Sequence, residues 1–505
     1  MVLTQEYTNR IPIAIGIKTT AFRLILLLAF LQLIIALFTN TLTFTHEESM
    51  WHYIGRNWFR HGMTPYQGGI DNKSPFLFAI YGISDWLFGI NYWFPRVIGI
   101  IVQSVGIYYL YKIAFRYASA INSGNNQTAE QAGLFAISLY GLSLLWRTTG
   151  GKLVSFTETY ATTLVIISFY KCLVATNNKH YFISGLLAGL GIGCRFSAVF
   201  GTMAVFIMAF RRNWKGALLL GTGIISGCLL MAGLIELSGI PVRDFLFYGF
   251  ADNFGEGSAT DFSWEYKLDQ FFNNFFNSEL ILFYPFIIGY ILVTKKLDHL
   301  LVWLLCTFIG INILGLYARP HFKELLPAFS LTAALCLSHL TRHYKLSFRS
   351  LMIIVWICFF PKTLEPLWGL RKTFRSVIIP PKTFCDNPAA ITDEEAERRL
   401  GKWIKTVTSD TDLVYVAGFG ARVQLYSERV SPALYFNITQ TNYSRAQIYR
   451  DLENKPPAMI AIPVFSSYKA WVDKEVRDYI DKLVADRYVF DKCQYGYGIY
   501  RRKSN

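Results

Sequence analysis

Titratable side chains of both signs lie next to long apolar runs in distant parts of this sequence. A carboxylate in such a place can take the proton from a hydroxyl group as it attacks, whereas basic groups can hold a phosphate and stabilise its developing charge. The acids are Glu47, Glu48, Asp71 and Glu158, and the bases are Lys73, Arg195, Arg319, His321 and Lys323. Together these residue types would suit the transfer of a group from a lipid phosphate.

Six of these residues also have an ordinary structural explanation. Glu47 and Glu48 could form the solvated start of a loop, and Glu158 could complement a helix dipole from the first turn. Arg195 could extend its side chain to the membrane surface, and the 319–321 segment could mark the boundary of an aromatic belt. Because all of them fall on the same predicted side of the membrane, we favour a functional site.

Two carboxylates from this group could share a divalent cation. Glu47 and Glu158 supply the oxygen ligands that such a cation prefers. Alternatively, Glu158 and Asp71 could orient an acceptor. Two acids alone are a weak metal signal, so the sequence leaves the cofactor open between none and a divalent cation.

Long apolar stretches place these residues at a membrane. The chain has 505 residues, of which 53% are hydrophobic and 16% aromatic, and it is more apolar than a soluble core requires. The first long run, residues 22–42, is about as long as a membrane-spanning helix. Basic residues precede it, but no small-residue cleavage site follows, so we expect a retained first transmembrane helix.

Lysine and arginine residues in short loops orient the other apolar runs, because they are enriched on the cytoplasmic side. The pattern predicts eleven spans, with the N-terminus in the cytoplasm and the C-terminus outside. We interpret residues 76–90, which are short and contain Asp85, as an interfacial helix, and we divide 181–210 into two short helices. The predicted spans are 22–42, 96–116, 131–147, 159–176, 181–194, 196–210, 216–237, 279–293, 298–318, 322–340 and 348–364.

The net charge of +15 follows from this topology, because basic residues concentrate in the predicted cytoplasmic loops. The sequence has no nucleic-acid-binding motif, and we expect no nucleic-acid partner. Six of the eight cysteines lie in or beside the apolar runs, where they would pack as small apolar side chains. The other two, Cys385 and Cys493, fall in the outer part, and the sequence leaves open whether they form a disulfide.

From Pro366 onward, short apolar runs alternate with charged helical stretches. This alternation is typical of a soluble α/β domain. The predicted strands are 413–417, 433–437, 459–464, 487–490 and 498–500, and the predicted helices are 394–406, 444–453 and 466–484. We therefore divide the chain into a transmembrane domain (1–365), a first outer loop with interfacial helices (43–95) and an outer α/β domain (366–505).

Several short sequence motifs, each different, are found between the first outer loop and the C-terminus. The loop contains HEESMWHYIGRN at 46–57 and DNKSP at 71–75; FTE at 156–158, GLLAGLGIGCR at 185–195, RPHF at 319–322, VYVAG at 414–418 and GIYR at 498–501 follow. As a set they resemble the GT-C glycosyltransferases, in particular the family 39 group with protein O-mannosyltransferases and the lipid A aminoarabinose transferase. The resemblance spans nearly the whole chain, although each motif is short.

The resemblance implies an α-helical, polytopic GT-C membrane protein with a C-terminal α/β domain. It further implies a polyprenyl-phosphate-linked monosaccharide as donor, and an inverting single displacement onto a glycan, lipid or protein acceptor. By correspondence of motifs, Glu47 would be the base, Lys73, Arg195 and Arg319 phosphate ligands, His321 a donor-site hydrogen-bond partner, and Glu158 an acceptor or metal residue. The transmembrane domain would then be the catalytic domain.

The first acid of the loop departs from the family pattern. The family has Asp where this chain has Glu47, which keeps a carboxylate but lengthens the side chain by one methylene. The assignment of the base therefore stays open between Glu47 and Glu48. Ser74 likewise replaces the first proline after the motif lysine.

The sugar and the acceptor cannot be read from these motifs, because specificity lies in loops such as 240–278. That loop combines aromatic and acidic residues, namely Phe250, Asp252, Phe254, Glu256, Asp261 and Trp264. The combination could suit stacking against a sugar. It is equally typical of an amphipathic cover over a site.

A secondary transporter is the main competing function, since it too would have many helices and charged residues at their ends. Against it, the sequence lacks paired interrupted helices in two halves and has few acids at mid-membrane. A structural or assembly subunit is a third alternative. The small C-terminal domain is typical of bacterial members, which would place the protein in the inner membrane with its site in the periplasm.

Overall fold

The computed structural model describes most of the chain. Cys385 and the first part of the predicted helix 466–484 lie outside the described residues. The described residues are 18–38, 45–121, 126–150, 154–251, 263–295, 297–315, 317, 319–364, 394–437, 442–464 and 472–503.

The described residues before 365 are mainly helical. Its helices, in chain order, are α1 (Thr19–Phe38), α2 (His46–His61), α3 (Pro75–Phe88), α4 (Trp93–Ile121), α5 (Asn126–Ser143), α6 (Thr157–Leu173), α7 (Asn178–Cys194), α8 (Ala198–Arg212), α9 (Trp214–Leu237), α10 (Val242–Gly249), α11 (Trp264–Phe275), α12 (Tyr284–Thr294), α13 (His299–Leu314), α14 (Leu326–His343) and α15 (Phe348–Leu364). Short 3₁₀ turns at Glu279–Phe283 and Arg319–Glu324 precede α12 and α14. All except α2, α3, α10 and α11 coincide with predicted spans.

Three of these helices qualify as complete membrane spans by length and hydropathy alone, namely Thr19–Leu37, α4 and α9. α11 and Glu279–Thr294 together form a fourth candidate, which is bent by 50°. Several other span helices are shorter than the roughly 20 residues of a straight crossing. α3, with 14 residues, is likewise short. These features confirm the predicted class of a polytopic helical membrane protein.

Local sequence signals explain where the helices begin and end. The carboxylate of Asp298 accepts hydrogen bonds from the backbone N–H groups of Leu300 and Leu301, and so caps the start of α13. Gly315 ends the same helix in the left-handed conformation, which glycine adopts without a steric penalty. The following 3₁₀ turn delays the start of α14, so the predicted span 322–340 begins about one turn too early.

Glycines allow α7 and α9 to pack backbone against backbone. A Cβ atom built on Gly185 would lie 2.0 Å from the carbonyl oxygen of Leu220, and one on Gly189 would lie 2.2 Å from that of Ile224. No larger residue fits at either position without a backbone shift. The glycine-rich run therefore fixes the end of α7, where Arg195 is located.

The chain forms two compact units. One comprises residues 1–37, 96–234 and 263–368, and the other comprises 38–95, 235–262 and 369–505. We call them the bundle unit and the outer unit. The first outer loop and the C-terminal region thus belong to the same unit, although ten of the predicted spans separate them in sequence.

The C-terminal region contains a four-stranded sheet and four described helices. The helices are α16 (Glu394–Val407), α17 (Ala421–Ser427), α18 (Asn442–Asn454) and α19 (Lys474–Arg487), and the strands are β1 (Val414–Val416), β2 (Met459–Pro463), β3 (Tyr488–Gln494) and β4 (Tyr497–Arg502). The strand order is β1-β2-β4-β3, with β1 parallel to β2 and the other pairs antiparallel. Apolar residues of α16 and the sheet, including Leu400, Val414, Met459 and Ile499, form its core. The predicted α/β character of this region is confirmed.

Two details of this region differ from the sequence prediction. Residues 433–437 form no strand; Tyr435 and Phe436 are buried, and the Phe436 ring lies 4.4 Å from that of Tyr53 in α2. The apolar run therefore packs on a helix and not in the sheet. α17, which has no strong periodic signal, was not predicted.

The cysteines follow the expected division. The six cysteines in or beside the span helices are free. Cys493 in β3 is disulfide-bonded.

Candidate functional site

The first acids of the outer loop occupy different environments at the start of α2. Thr45 caps the helix: its hydroxyl accepts a hydrogen bond from the Glu48 N–H at 3.2 Å, and the Glu48 carboxylate accepts one from the Thr45 N–H at 2.9 Å. Such a reciprocal capping box satisfies two donors that the helix leaves open. Glu48 is buried, with 1% of its surface exposed, whereas Glu47 is exposed. Of these two acids, Glu47 is therefore the one that is accessible to solvent.

Asp71 and Lys73 lie on the loop between α2 and α3. The Trp51 indole N–H of α2 donates a hydrogen bond to Asp71 at 2.6 Å. The Lys73 ammonium donates to the side-chain oxygen of its neighbour Asn72. Among the described residues no carboxylate forms an ion pair with Lys73, so its positive charge is available to an anionic ligand.

A buried carboxylate of α3 holds α2 in place. Asp85 is fully buried and contacts His52 Nε2 at 2.9 Å, Arg56 at 2.9 Å and Arg60 at 2.8 Å. Burial by itself would raise the pKa of Asp85, but these partners outweigh it and lower the pKa. Arg56 also pairs with Glu428, just after α17, at 2.7 Å.

In the bundle unit three of the predicted site residues meet. Glu158, buried in the first turn of α6, lies 3.0 Å from the Arg195 guanidinium and 3.7 Å from His321 Nε2. Arg195 follows directly after α7, and His321 lies on the 3₁₀ turn before α14. Arg319, on the same turn, is exposed. The bundle thus positions one carboxylate between two basic groups from distant segments.

Two further charged residues join this cluster, namely Lys323, which the sequence analysis included among the bases, and Glu324, which it did not include. Glu324 pairs with Arg195 at 2.8 Å and accepts a hydrogen bond from the Ser197 hydroxyl at 2.5 Å. Lys323 is 1% exposed and donates to the Thr159 hydroxyl at 3.4 Å. Burial lowers the pKa of Lys323 to about 8, although nearby Glu158 acts in the opposite direction.

The sequence contains a pattern that could have indicated both Lys323 and Glu324. Four of the six residues of the Arg319–Glu324 turn are titratable, and they directly precede an apolar helix. A small cavity opens beside Glu324, lined by Thr162, Val165, Ala198, Gly201, Trp303 and Thr307. Its two threonines and one acid give it polar walls within the helical bundle.

One of the two carboxylates predicted to share a divalent cation already has a cationic partner. Glu158 is already neutralised by Arg195, which a cation would have to displace. In the described part of the chain no group of three or more His, Cys, Asp or Glu side chains could hold a metal ion. A divalent cation shared by Glu47 and Glu158 stays a prediction.

The segment proposed for specificity is described in part. Phe250, at the end of α10, and Trp264, at the start of α11, are both exposed. Asp252, Phe254, Glu256 and Asp261 lie outside the described residues. Sugar stacking and an amphipathic cover both remain hypotheses for this loop.

Comparison with known proteins identifies the fold. No family model and no curated protein matches the chain. The crystal structure of ArnT from Cupriavidus metallidurans bound to undecaprenyl phosphate aligns with a TM-score of 0.59 at 11% identity, covering 97% of this chain and 99% of that one. Its apo structure aligns with a TM-score of 0.57 at 12% identity, covering 95% and 98%.

An archaeal structure extends the comparison. The apo oligosaccharyltransferase of Archaeoglobus fulgidus aligns with a TM-score of 0.54 at 11% identity, covering 96% of this chain and 75% of that one. The chain therefore has the GT-C glycosyltransferase fold, as the motif resemblance implied. At such low identity the likeness concerns the fold alone.

Proposed function

We propose that the protein is a membrane glycosyltransferase that moves a monosaccharide from a polyprenyl-phosphate donor to an acceptor outside the cytoplasm. The observation that carries this proposal is the GT-C fold over nearly the whole chain. The bound undecaprenyl phosphate of the ArnT structure supports a polyprenyl phosphate as the lipid part of the donor. The acceptor is a hydroxyl-bearing glycan, lipid or protein.

In the proposed reaction Glu47 accepts the proton of the acceptor hydroxyl as its oxygen attacks the anomeric carbon. A new carbon–oxygen bond forms while the bond between that carbon and the phosphate oxygen breaks, and the phosphate keeps the electron pair. Attack from the face opposite the phosphate inverts the anomeric configuration. The exposure of Glu47 and the capping role of Glu48 support this choice of base.

Basic residues would hold the leaving phosphate. Lys73 suits this role because no described carboxylate neutralises it, and Arg319 suits it because its side chain is exposed. Arg195 and His321 were predicted as donor ligands too, and a phosphate bound by them would replace Glu158 as their partner. We propose that Glu158, or Asp71 in the outer unit, orients the acceptor.

The fold is that of a multi-pass membrane protein, and we further propose its location. The basic loops support a cytoplasmic N-terminus. The protein would reside in the inner membrane of a bacterium, with Glu47 facing the periplasm. The donor would then reach the site from the outer leaflet.

Transfer from labelled donors tests this function. Purified protein is incubated with a panel of radiolabelled polyprenyl-phosphate sugars and membranes from its own host. Wild type should move label to an acceptor, and Glu47→Gln should lower the rate by about 10²- to 10⁴-fold, the usual contribution of a general base. The products would identify both substrates.

Glu48→Gln is the matched control, because glutamine at this position still completes the capping box. It should retain most of the transfer rate. Equal transfer by wild type and Glu47→Gln would exclude Glu47 as the base. If no donor in the panel is consumed, a solute gradient generated by the protein in vesicles would favour the transporter instead.

A further inference from the structure

The loop between α2 and α3, which contains Lys73, includes a residue with an unusual backbone conformation. Tyr66 adopts φ +69°, in the left-handed region that favours glycine and that a tyrosine rarely enters. The Tyr66 N–H donates to the Gly69 carbonyl at 3.0 Å. A bulky residue persists in such a conformation only when its surroundings hold it there.

The side chain of Tyr66 supplies that support. It is 3% exposed, and its hydroxyl donates a hydrogen bond to the backbone carbonyl of Lys73 at 2.9 Å. The ring stacks on Tyr248 of α10, with centroids 5.4 Å apart and planes at 21°. Burial, together with Asp71 and Asp244, raises the pKa of Tyr66 well above its usual value. The hydroxyl therefore stays protonated and can donate.

Other bonds fix the rest of this loop but do not reach Lys73. The Asn57 side chain donates to the Gly68 carbonyl at 2.6 Å, and the Ile70 N–H donates to the Leu434 carbonyl at 3.2 Å. Trp51 holds Asp71. Tyr66 is the described side chain that bonds the backbone of Lys73 itself.

We propose that Tyr66 is a positioning residue that sets the Lys73 ammonium for an anionic lipid phosphate. The inference rests on the proposed function, because it takes Lys73 as a donor ligand. The Tyr66 hydroxyl holds the carbonyl of Lys73, and the stack on Tyr248 holds the ring. Tyr66 thus acts through Lys73 and does not touch the donor.

Tyr66→Phe tests this role because it removes only the hydroxyl and keeps the stack. Binding of undecaprenyl phosphate to the purified full-length protein should weaken about fivefold, the equivalent of one neutral hydrogen bond. Binding of undecaprenol, which lacks the phosphate, should not change. Unchanged affinity for undecaprenyl phosphate, or an equal loss for both lipids, would overturn the proposal.

Tyr488→Phe is the matched control. Tyr488 is also buried, and its hydroxyl also donates to a backbone carbonyl, that of Pro457, at 2.8 Å. Both variants lose one such bond, but only Tyr66→Phe should weaken binding of the phosphate. Equal weakening in both would indicate a general structural effect and would contradict the proposal.

Lys73→Met distinguishes a failure of the proposed role of Lys73 from a failure of the proposed role of Tyr66 alone. If this variant binds undecaprenyl phosphate as well as wild type does, the proposed role of Lys73 fails and the inference fails with it. If Lys73→Met weakens binding but Tyr66→Phe does not, only the inference fails. If Tyr66 acts through Lys73, adding Tyr66→Phe to Lys73→Met should cause no further loss.

Discussion

Charged side chains buried in the bundle unit depend on one another. Arg195 is in contact with both Glu158 and Glu324, which are themselves almost fully buried. Removing the shared partner of two buried acids leaves charge without compensation. The cluster should therefore respond strongly to loss of its central arginine.

Arg195→Met should destabilise the protein by about 3–5 kcal/mol, the usual effect of breaking a buried ion pair from one side. The midpoint of thermal unfolding in detergent measures this change. Arg243→Met is the control, since Arg243 is highly exposed and its pair with Asp244 at 3.4 Å lies at the surface. A melting temperature of Arg195→Met equal to that of the control would contradict the account.

The sequence predicted the members of this cluster better than their pairing. Glu158, Arg195 and His321 were found because charged residues beside apolar runs are conspicuous. Glu324 was missed as a site residue because its contact with Arg195 joins positions 129 residues apart. Hydropathy places a charge near a helix end, but only the packing of the helices decides which charge it meets.

Among the helices and strands, too, the sequence predicted features that follow from hydropathy but not those that depend on tertiary contacts. The apolar runs predicted the eleven span helices because each run reflects burial in lipid or bundle directly. The run at 433–437 predicted a strand wrongly, because burial against α2 gives apolar side chains without a ladder of hydrogen bonds. There the Leu434 N–H bonds the Asp451 carboxylate at 2.8 Å.

α2 carries the candidate base, Glu47. It is joined to α3 by ion pairs and by close backbone packing. A Cβ atom on Gly55 of α2 would lie 2.5 Å from the backbone of Gly82 in α3. At this crossing His52 is completely buried beside Asp85. Burial lowers the pKa of His52, and Asp85, already paired with Arg56 and Arg60, does not offset this effect.

This environment predicts a pH dependence of stability. The unfolded chain takes up a proton on His52 below about pH 6.5, whereas the folded chain takes it up only at a lower pH, because burial lowers the pKa of His52. Stability should therefore fall as the pH is lowered from 7 to 5, by at most about 1.4 kcal/mol per pH unit for this group. His52→Gln should show a shallower fall in melting temperature.

Other titratable groups also contribute to the pH dependence of stability, in wild type and in His52→Gln alike. Burial lowers the pKa of His46 to about 4, so it contributes in the same direction and remains in the variant. The comparison therefore concerns the difference between the two slopes. Parallel slopes would mean that the pKa of His52 is the same in the folded and the unfolded protein, and would contradict the prediction.

The outer unit constrains the topology of the whole molecule. α2 contacts the segment that follows α17: Arg56 pairs with Glu428 at 2.7 Å, the Tyr53 hydroxyl accepts from the Ser431 N–H at 2.7 Å, and the Tyr53 ring lies 4.4 Å from that of Phe436. Because these contacts are direct, α2 and the C-terminal region must lie on the same side of the membrane. The first outer loop and the C-terminal region are therefore separated by an even number of spans.

The even number of spans constrains whether α3 can cross the membrane. With α4 to α9 and α12 to α15 as the predicted spans, ten crossings separate the loop from the C-terminal region, and an eleventh at α3 would make the number odd. Its burial of Asp85 and its short length agree with that conclusion. The sequence reached the same interpretation from the basic loops, which are independent of the packing of the outer unit.

Labelling of single introduced cysteines tests this arrangement. His61→Cys and Phe88→Cys flank α3, and both positions are exposed. In intact cells a membrane-impermeant maleimide should label both, because α3 does not cross the bilayer. Lys215→Cys, in a predicted cytoplasmic loop, should react only after the cells are opened, and wild type provides the background of native thiols. Labelling of only one of the two flanking positions would make α3 a span and would place the first acids and the C-terminal region on opposite sides, which the packing of the outer unit does not allow.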